Sequence, residues 1–311
     1  MLDRLPLELV CDILRIAAVM CLPTDRQTIR NIALSCSLAY GSVIPVLYSA
    51  FVIDEKNKKH VGEVFEDSPP LASGVFSIAP SQRLCPHIRR VFVETKLKIS
   101  SRQLSLLVNL RSIFSLSLDF DALTPESLPD PVPSLEHFYV LSVDYPPSLP
   151  PSVTHVSYYI HIPAPASITV FEDYAKRVFS DTITHVAIEL NESIVPSYET
   201  PLLSLLKALL GRNSSAPVVL RLYRNAGDND CERVVLRAIA RLELEPLRRR
   251  VLLWRDPRPI FDTKDDINIS KMDCIVGRTP WEEAEPVSHA ELEVAENWQE
   301  PPTPVQENEI V

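Results

Sequence analysis

Five segments of this 311-residue chain repeat one pattern, an apolar residue followed three places on by another. They are Ile88 and Val91, Leu110 and Ile113, Leu135 and Phe138, Val153 and Val156, and Ile183 and Val186. In four of them a third apolar or aromatic residue comes two places later, at Val93, Val140, Tyr158 and Ile188. A spacing of two is that of a strand, whose alternate side chains share a face. The closest pair is Val153-Thr154-His155-Val156 and Ile183-Thr184-His185-Val186, and successive segments start 22, 25, 18 and 30 residues apart. A single such strand cannot bury its apolar face alone, so the recurrence predicts strands stacked side by side.

Later strands alternate with helices. Residues 218–223 and 251–254 read as strands. Thr200 can cap a Leu-rich helix with Pro201 in its first turn and a stop at Gly211, and Asp230 to Leu242 repeats the helical spacing. Such alternation implies right-handed crossovers and a parallel sheet. Eight prolines within residues 125–151 predict extended loops for the earlier crossovers. The five segments resemble the L-x-x-L-x-L strand signature of leucine-rich repeats, in degenerate form over about residues 85–255; the last alone keeps the family's Asn, at Asn191. The expected fold class is α+β or α/β, with an N-terminal helical module followed by an irregular, curved parallel sheet.

Composition excludes several functions. The six glycines are isolated among 28 prolines. Phosphate-cradling loops need several glycines at fixed offsets, so dinucleotide and P-loop sites are not expected. The net charge of −10 is concentrated in residues 281–311, which hold nine Glu and no Lys or Arg. The rest is close to neutral, which argues against nucleic acid as a partner; the Arg248-Arg249-Arg250 run reads as a solvated surface. The six cysteines are scattered without a CxxC pair, so free buried thiols are expected, with no metal and no cofactor. No GxSxG or HExxH is present, and no catalytic residue is assigned.

The first eight residues carry acids where a secretory signal needs a basic start, so the sequons at Asn191, Asn213 and Asn268 are expected to stay unglycosylated. Residues 31–53 are uncharged, but four serines, Gly41 and Pro45 favour two short helices over a membrane span. A cytoplasmic or nuclear location follows as the expectation.

The first fifty residues read as three short helices. Pro6 occupies a helix start, and apolar residues recur at Leu9, Val10, Ile13, Leu14, Ile16, Ala17 and Met20 between Glu8, Asp12 and Arg15. This predicts a buried stripe opposite a wet face. Thr24 or Asp25 can cap a second helix reaching about Ala39; Gly41 then separates a third around Val43, Val46, Leu47 and Tyr48. Leu5-Pro6-Leu7-Glu8-Leu9 followed by Ile13-Leu14, then Ile32 to Ser37, then Pro45-Val46-Leu47-Tyr48, together resemble the F-box of fungal type. Where that family often has Trp, this chain has Leu38-Ala39-Tyr40.

The resemblance implies docking to a Skp-family adaptor, and through it to a cullin and a RING protein, while the rest of the chain holds a protein substrate. By motif position the adaptor contact would comprise Leu5, Pro6, Leu9, Ile13, Leu14, Ile32, Ala33 and Leu47. The competing reading is a repeat-type interaction scaffold without any ubiquitin machinery.

Strand alternation supplies a candidate substrate face. If Val156, Tyr158 and Ile160 point to the core, the opposite face carries Arg90, Phe92, His137, Tyr139, His155, Tyr159, His185 and Glu189. His137, His155 and His185 hold equivalent places and could form a column. A solvent-facing repeat position explains them more simply than a metal or pH-sensing surface, and a protein contact is the better functional reading. The domain reading is 1–50 helical module, 51–84 connector, 85–262 repeat-like domain and 263–311 an acidic, Pro-rich tail expected to be mostly disordered. Within it, Trp281 and Trp298 read as part of a solubilising tail before a docking anchor.

Overall fold

The computed structural model describes residues 5–22, 25–54, 85–94, 106–115, 135–140, 149, 152–160, 182–190, 198–212, 216–223, 230–258 and 263–298. The proline-rich loops, the sequon residues Asn191 and Asn213 and the last thirteen residues lie outside these.

Helices α1 (Leu7–Cys21), α2 (Arg26–Ser35) and α3 (Ser37–Leu47) open the chain. Pro6 stands at the N-cap of α1. Asp25 caps α2, its carboxylate accepting from the Thr28 amide at 2.9 Å, an arrangement typically stabilising by ~1 kcal/mol. The break between α2 and α3 falls at Cys36, five residues before Gly41. Ser35 Oγ donates back to the Ile32 carbonyl at 2.7 Å, Cys36 is extended (φ −165, ψ 166), and its sulfur accepts from the Ala39 amide at 3.4 Å. Small side chains that bond the local backbone compete with the helix ladder and favour helix ends. Gly41 and Pro45 consequently sit inside α3.

The sheet runs β1 (Ala50–Ile53), β2 (Arg90–Val93), β3 (Ser112–Ser115), β4 (His137–Val140), β5 (His155–Ile160), β6 (His185–Leu190), β7 (Val218–Tyr223), β8 (Val251–Asp256) and β9 (Glu285–Pro286), in chain order across the sheet. The first eight are parallel, and β9 is antiparallel to β8. All five repeated segments form adjacent strands in one register, with Val91, Ile113, Phe138, Val156 and Val186 in one row. Their leading residues Ile88, Leu110, Leu135, Val153 and Ile183 are buried below the strand starts. Periodicity announces neither β1 nor β9, and β1 starts the sheet within the span expected to be a connector.

One face of the sheet packs on α4 (Glu199–Arg212) and α5 (Asp230–Ala240), whose Leu202, Leu205, Leu206, Val235 and Ile239 complete the main core. Glu199, which precedes the expected cap Thr200, is buried and pairs with Arg237 at 2.9 Å and Arg241 at 2.5 Å, joining these two helices. Gly211 does not stop α4, which runs to Arg212. A short α6 (Glu245–Arg248) leads into β8.

The segment expected to be a disordered tail is folded from 263 to 298. It forms α7 (Thr263–Val276), α8 (Pro280–Glu283), β9 and α9 (His289–Glu296). A capping box between Ser288 and Glu291 starts α9, which packs on α5 and contributes Leu292 to the core. Composition misled here because the acidic residues decorate helices that still bury a few apolar side chains, among them Cys274, Ile275, Leu292 and Ala295. Cys274 and Ile275 of α7 join Ala18, Ile29, Ala33, Val43, Phe92, Phe114 and Tyr139 in a second cluster on the opposite face of the sheet. The N-terminal helices and the sheet thus share a core.

α7 also links distant strands. Asp273 bonds Arg221 of β7, while the carbonyl of Ile275 accepts from Arg90 of β2 at 3.1 Å. Five strand spacings separate β2 from β7, ~24 Å if flat at ~4.8 Å each. Two residues only two positions apart reach both through the long side chains of Arg90 and Arg221, which extend along the sheet toward the helix.

Candidate functional site

Two features were expected to carry function, an N-terminal helical surface and one face of the sheet. The structure leaves much of the first exposed and covers most of the second.

On α1 four residues of the expected buried stripe, Leu9, Ile13, Ile16 and Met20, are exposed, while Val10, Leu14 and Ala17 are half-buried. Leu7 and Ile16 are 60% exposed and Met20 74%, with Leu5, Leu9, Ile13 and Val19 also open; Ala18 is the buried residue of this helix. Leu34 of α2 and Tyr40 of α3 are exposed as well. Among the eight assigned docking residues, Leu5, Pro6, Leu9 and Ile13 are exposed. Leu14, Ile32 and Leu47 are half-buried against the second cluster, and Ala33 is 3% exposed inside it, so Ala33 supports the module from within and touches no partner. The motif pattern could not separate these roles, because both the packed and the free apolar residues follow helical spacing.

The opposite face of the sheet is roofed by α7 and α8. Phe92 is 0% exposed and Tyr139 2%, and Phe114 between them stacks on Tyr139 with centroids 3.8 Å apart. These residues therefore serve the core. Tyr159 pairs in register with Glu189, and its side chain lies outside the described residues.

The histidine column forms. His137, His155 and His185 are register partners on β4, β5 and β6, with ring centroids 4.6 Å and 4.1 Å apart, the second pair stacked at 6°. Trp281 of α8 stands edge-on above all three. Thr154 Oγ1 lies 2.7 Å from His155 Nδ1, and Thr184 Oγ1 lies 2.9 Å from His185 Nδ1. Burial lowers the pKa of all three imidazoles; for His155, desolvation together with repulsion from His137 and His185 lowers it to about 3. The rings are neutral near pH 7. Among the described residues no His, Cys or acidic cluster has the arrangement of a metal site.

Beyond the histidines the same face carries a buried charge cluster that alternation alone did not reveal. Arg221 of β7 meets Glu189 of β6 at 3.2 Å, Asp256 of β8 at 2.8 Å and Asp273 of α7 at 2.5 Å. Arg258 closes the group from the rim, bonding Asp256 at 2.5 Å and Asp273 at 2.7 Å. Glu189 also accepts from Tyr223 at 2.6 Å and from Ser157 at 3.3 Å. Burial works against the Arg221 charge, but Tyr223 and the three carboxylates outweigh it and raise its pKa well above the usual value. Its guanidinium lies 3.8 Å from the centroid of the Trp254 ring. Glu189 is thus a core ion-pair member and no substrate contact. A cross-strand pair of opposite charges, Glu189 beside Arg221, was the available signal.

At the strand starts of β2–β4 a cleft of about 210 Å³ remains open, lined by Arg89, Arg90, Arg111, His137, Tyr139 and Arg278 among others. Of the expected substrate face, Arg90 and His137 reach it, with Tyr139 in its wall. Cys36 is exposed, Cys85 and Cys274 are buried, and Cys11, Cys21 and Cys231 are intermediate, so burial of the thiols holds for two of six. Among the described residues no helix is long and apolar enough to cross a membrane. Compared with known proteins, the chain matches no protein-family model and no curated protein.

Proposed function

We propose that this chain is a substrate-recognition subunit of a Skp/cullin/F-box ubiquitin ligase, docking to the adaptor through α1 and its neighbours. The observation that supports this reading most is the run of exposed apolar side chains from Leu5 to Met20. A helix that buries its small residue Ala18 and leaves most of its large ones exposed is suited to a partner surface, because contiguous exposed apolar patches mark interaction sites. The resemblance of residues 5–48 to the F-box supplies the partner's identity. The contribution of such a subunit is proximity: it raises the local concentration of substrate lysines near a charged carrier and needs no catalytic group of its own. A cytoplasmic or nuclear location goes with this reading.

The test is co-expression with a Skp-family adaptor. Wild type is expected to co-purify with it and the Leu5→Asp, Leu9→Asp double variant is not. Failure of the wild type, or equal capture of the variant, overturns the proposal and leaves the interaction scaffold without ubiquitin machinery as the better account.

A further inference from the structure

With most of the sheet face roofed by α7 and α8, a ligand needs another place to bind. The cleft at the starts of β2–β4 is that place. Its lining residues include four arginines, Arg89, Arg90, Arg111 and Arg278, against one acid, Glu136. This concentration stands out in a chain whose net charge is −10. Arg89 and Arg111 are exposed neighbours in register, linked by the Arg111 amide donating to the Arg89 carbonyl at 2.7 Å. Neither guanidinium pairs with an acid among the described residues. Arg278 pairs through Nε with Glu283 at 3.2 Å, leaving its terminal nitrogens for another partner.

Arg90 is fixed at the back. Its Nη2 donates to Ser49 Oγ at 3.0 Å and to the Ile275 carbonyl at 3.1 Å, while Nη1 occupies the space where a Cβ on Gly277 would stand. Gly277, at φ +81, is therefore the residue that admits this guanidinium. Three buried polar atoms in the same wall, Arg90 Nε, His137 Nδ1 and Tyr139 Oη, have no hydrogen-bond partner among the described residues. Buried polar groups are almost always satisfied, and an unsatisfied one calls for a partner such as a water or an ion. A water occupies ~30 Å³ of liquid, so the cleft has room for a tetrahedral oxyanion and the group bearing it.

We infer that this cleft binds an oxyanion carried on a protein segment, either a phosphorylated side chain or a run of acidic ones, with Arg89 and Arg111 at the entrance and Arg278 alongside. Planar guanidinia in pairs match phosphate and carboxylate oxygens, and the positive cleft steers such groups in. As a substrate anchor the site rests on the receptor reading above, yet its chemistry is separable from it.

The full-length protein is titrated calorimetrically with inorganic phosphate, a short phosphoserine peptide, and the same peptide with glutamates in place of phosphoserine. Binding of the phosphoserine peptide alone assigns a modified segment, and binding of the glutamate peptide assigns an acidic one. Either is expected to weaken by about tenfold or more in Arg89→Gln with Arg111→Gln. Both side chains are exposed, so the melting temperature is expected to stay unchanged. Arg111→Lys keeps the charge but loses the fork and is expected to fall between. Absence of heat with both peptides at about millimolar concentration, or unchanged affinity in the double Gln variant, overturns the inference. Adaptor capture by α1 is read separately in the same variants, so loss of one activity does not mimic loss of the other.

Discussion

Trp281 stands over His155 with ring centroids 4.8 Å apart and planes at 79°. The indole edge thus roofs a column of three neutral imidazoles. Protonating the column would place like charges on rings 4.1 Å and 4.6 Å apart. Glu136 and Glu282 favour the charged form of His137 and Arg111 opposes it, and among the described residues none of the three is hydrogen-bonded to a ring.

Stability is therefore expected to fall in mild acid. The folded pKa of His155 is lowered to about 3 from 6.5, so below about pH 6.5 the unfolded chain binds a proton that the folded one does not. Stability is fully present above that pH and is lost progressively as pH falls toward 3. The loss is below ~1.4 kcal/mol per pH unit for this ring, because it is half-buried and partly screened. Urea unfolding at about pH 7 and about pH 5 checks this, with His155→Phe expected to flatten the dependence.

Removing the centre of the charge cluster is a second test. Arg221→Met leaves Glu189, Asp256 and Asp273 buried with Arg258 as their remaining cation. Breaking a buried ion pair by deleting one partner costs ~3–5 kcal/mol. Denaturant midpoints are expected to drop accordingly, and adding Glu189→Gln with Asp273→Asn is expected to recover part of the loss. A change below ~1 kcal/mol would contradict the role given to this residue.

Two glycines make opposite predictions. Gly277→Ala forces a Cβ to within 1.6 Å of Arg90 Nη1 at a left-handed φ of +81, so destabilisation of ~2 kcal/mol or more is expected. Gly211 lies in α4, and a Cβ added there would meet nothing within 4 Å. Gly211→Ala is expected to stabilise by ~0.5–1 kcal/mol. Thermal melts of the two variants side by side decide this.

The strands were legible because Ile88, Leu110, Leu135, Val153 and Ile183 each precede a second core residue by three places, and every one is buried. Periodicity tells which residues share a face; it cannot tell whether another element covers that face. Phe92, Tyr139 and Glu189 follow the alternation of solvent-facing positions, yet α7 and α8 together lie over that face. Helix α7 is hard to read in the sequence because Lys and Asp residues are interspersed among its apolar set, Ile267, Ile269, Met272, Cys274 and Ile275. The same ambiguity runs the other way on α1, where a regular apolar spacing predicts burial and Leu9, Ile13, Ile16 and Met20 are exposed. Local capping by Asp25 was legible, whereas the break at Cys36 depends on a sulfur acceptor that residue type alone does not announce.

The central claim is that the exposed face of α1 is an adaptor-binding surface. Calorimetric titration of the purified chain with a purified Skp-family adaptor tests it most directly. The account predicts a one-to-one complex, weakened by about 100-fold or more in Leu5→Asp with Leu9→Asp, while the melting temperature changes little, since the two residues are exposed at 38% and 46%. No complex with the wild type, or equal affinity in the double variant, would contradict it.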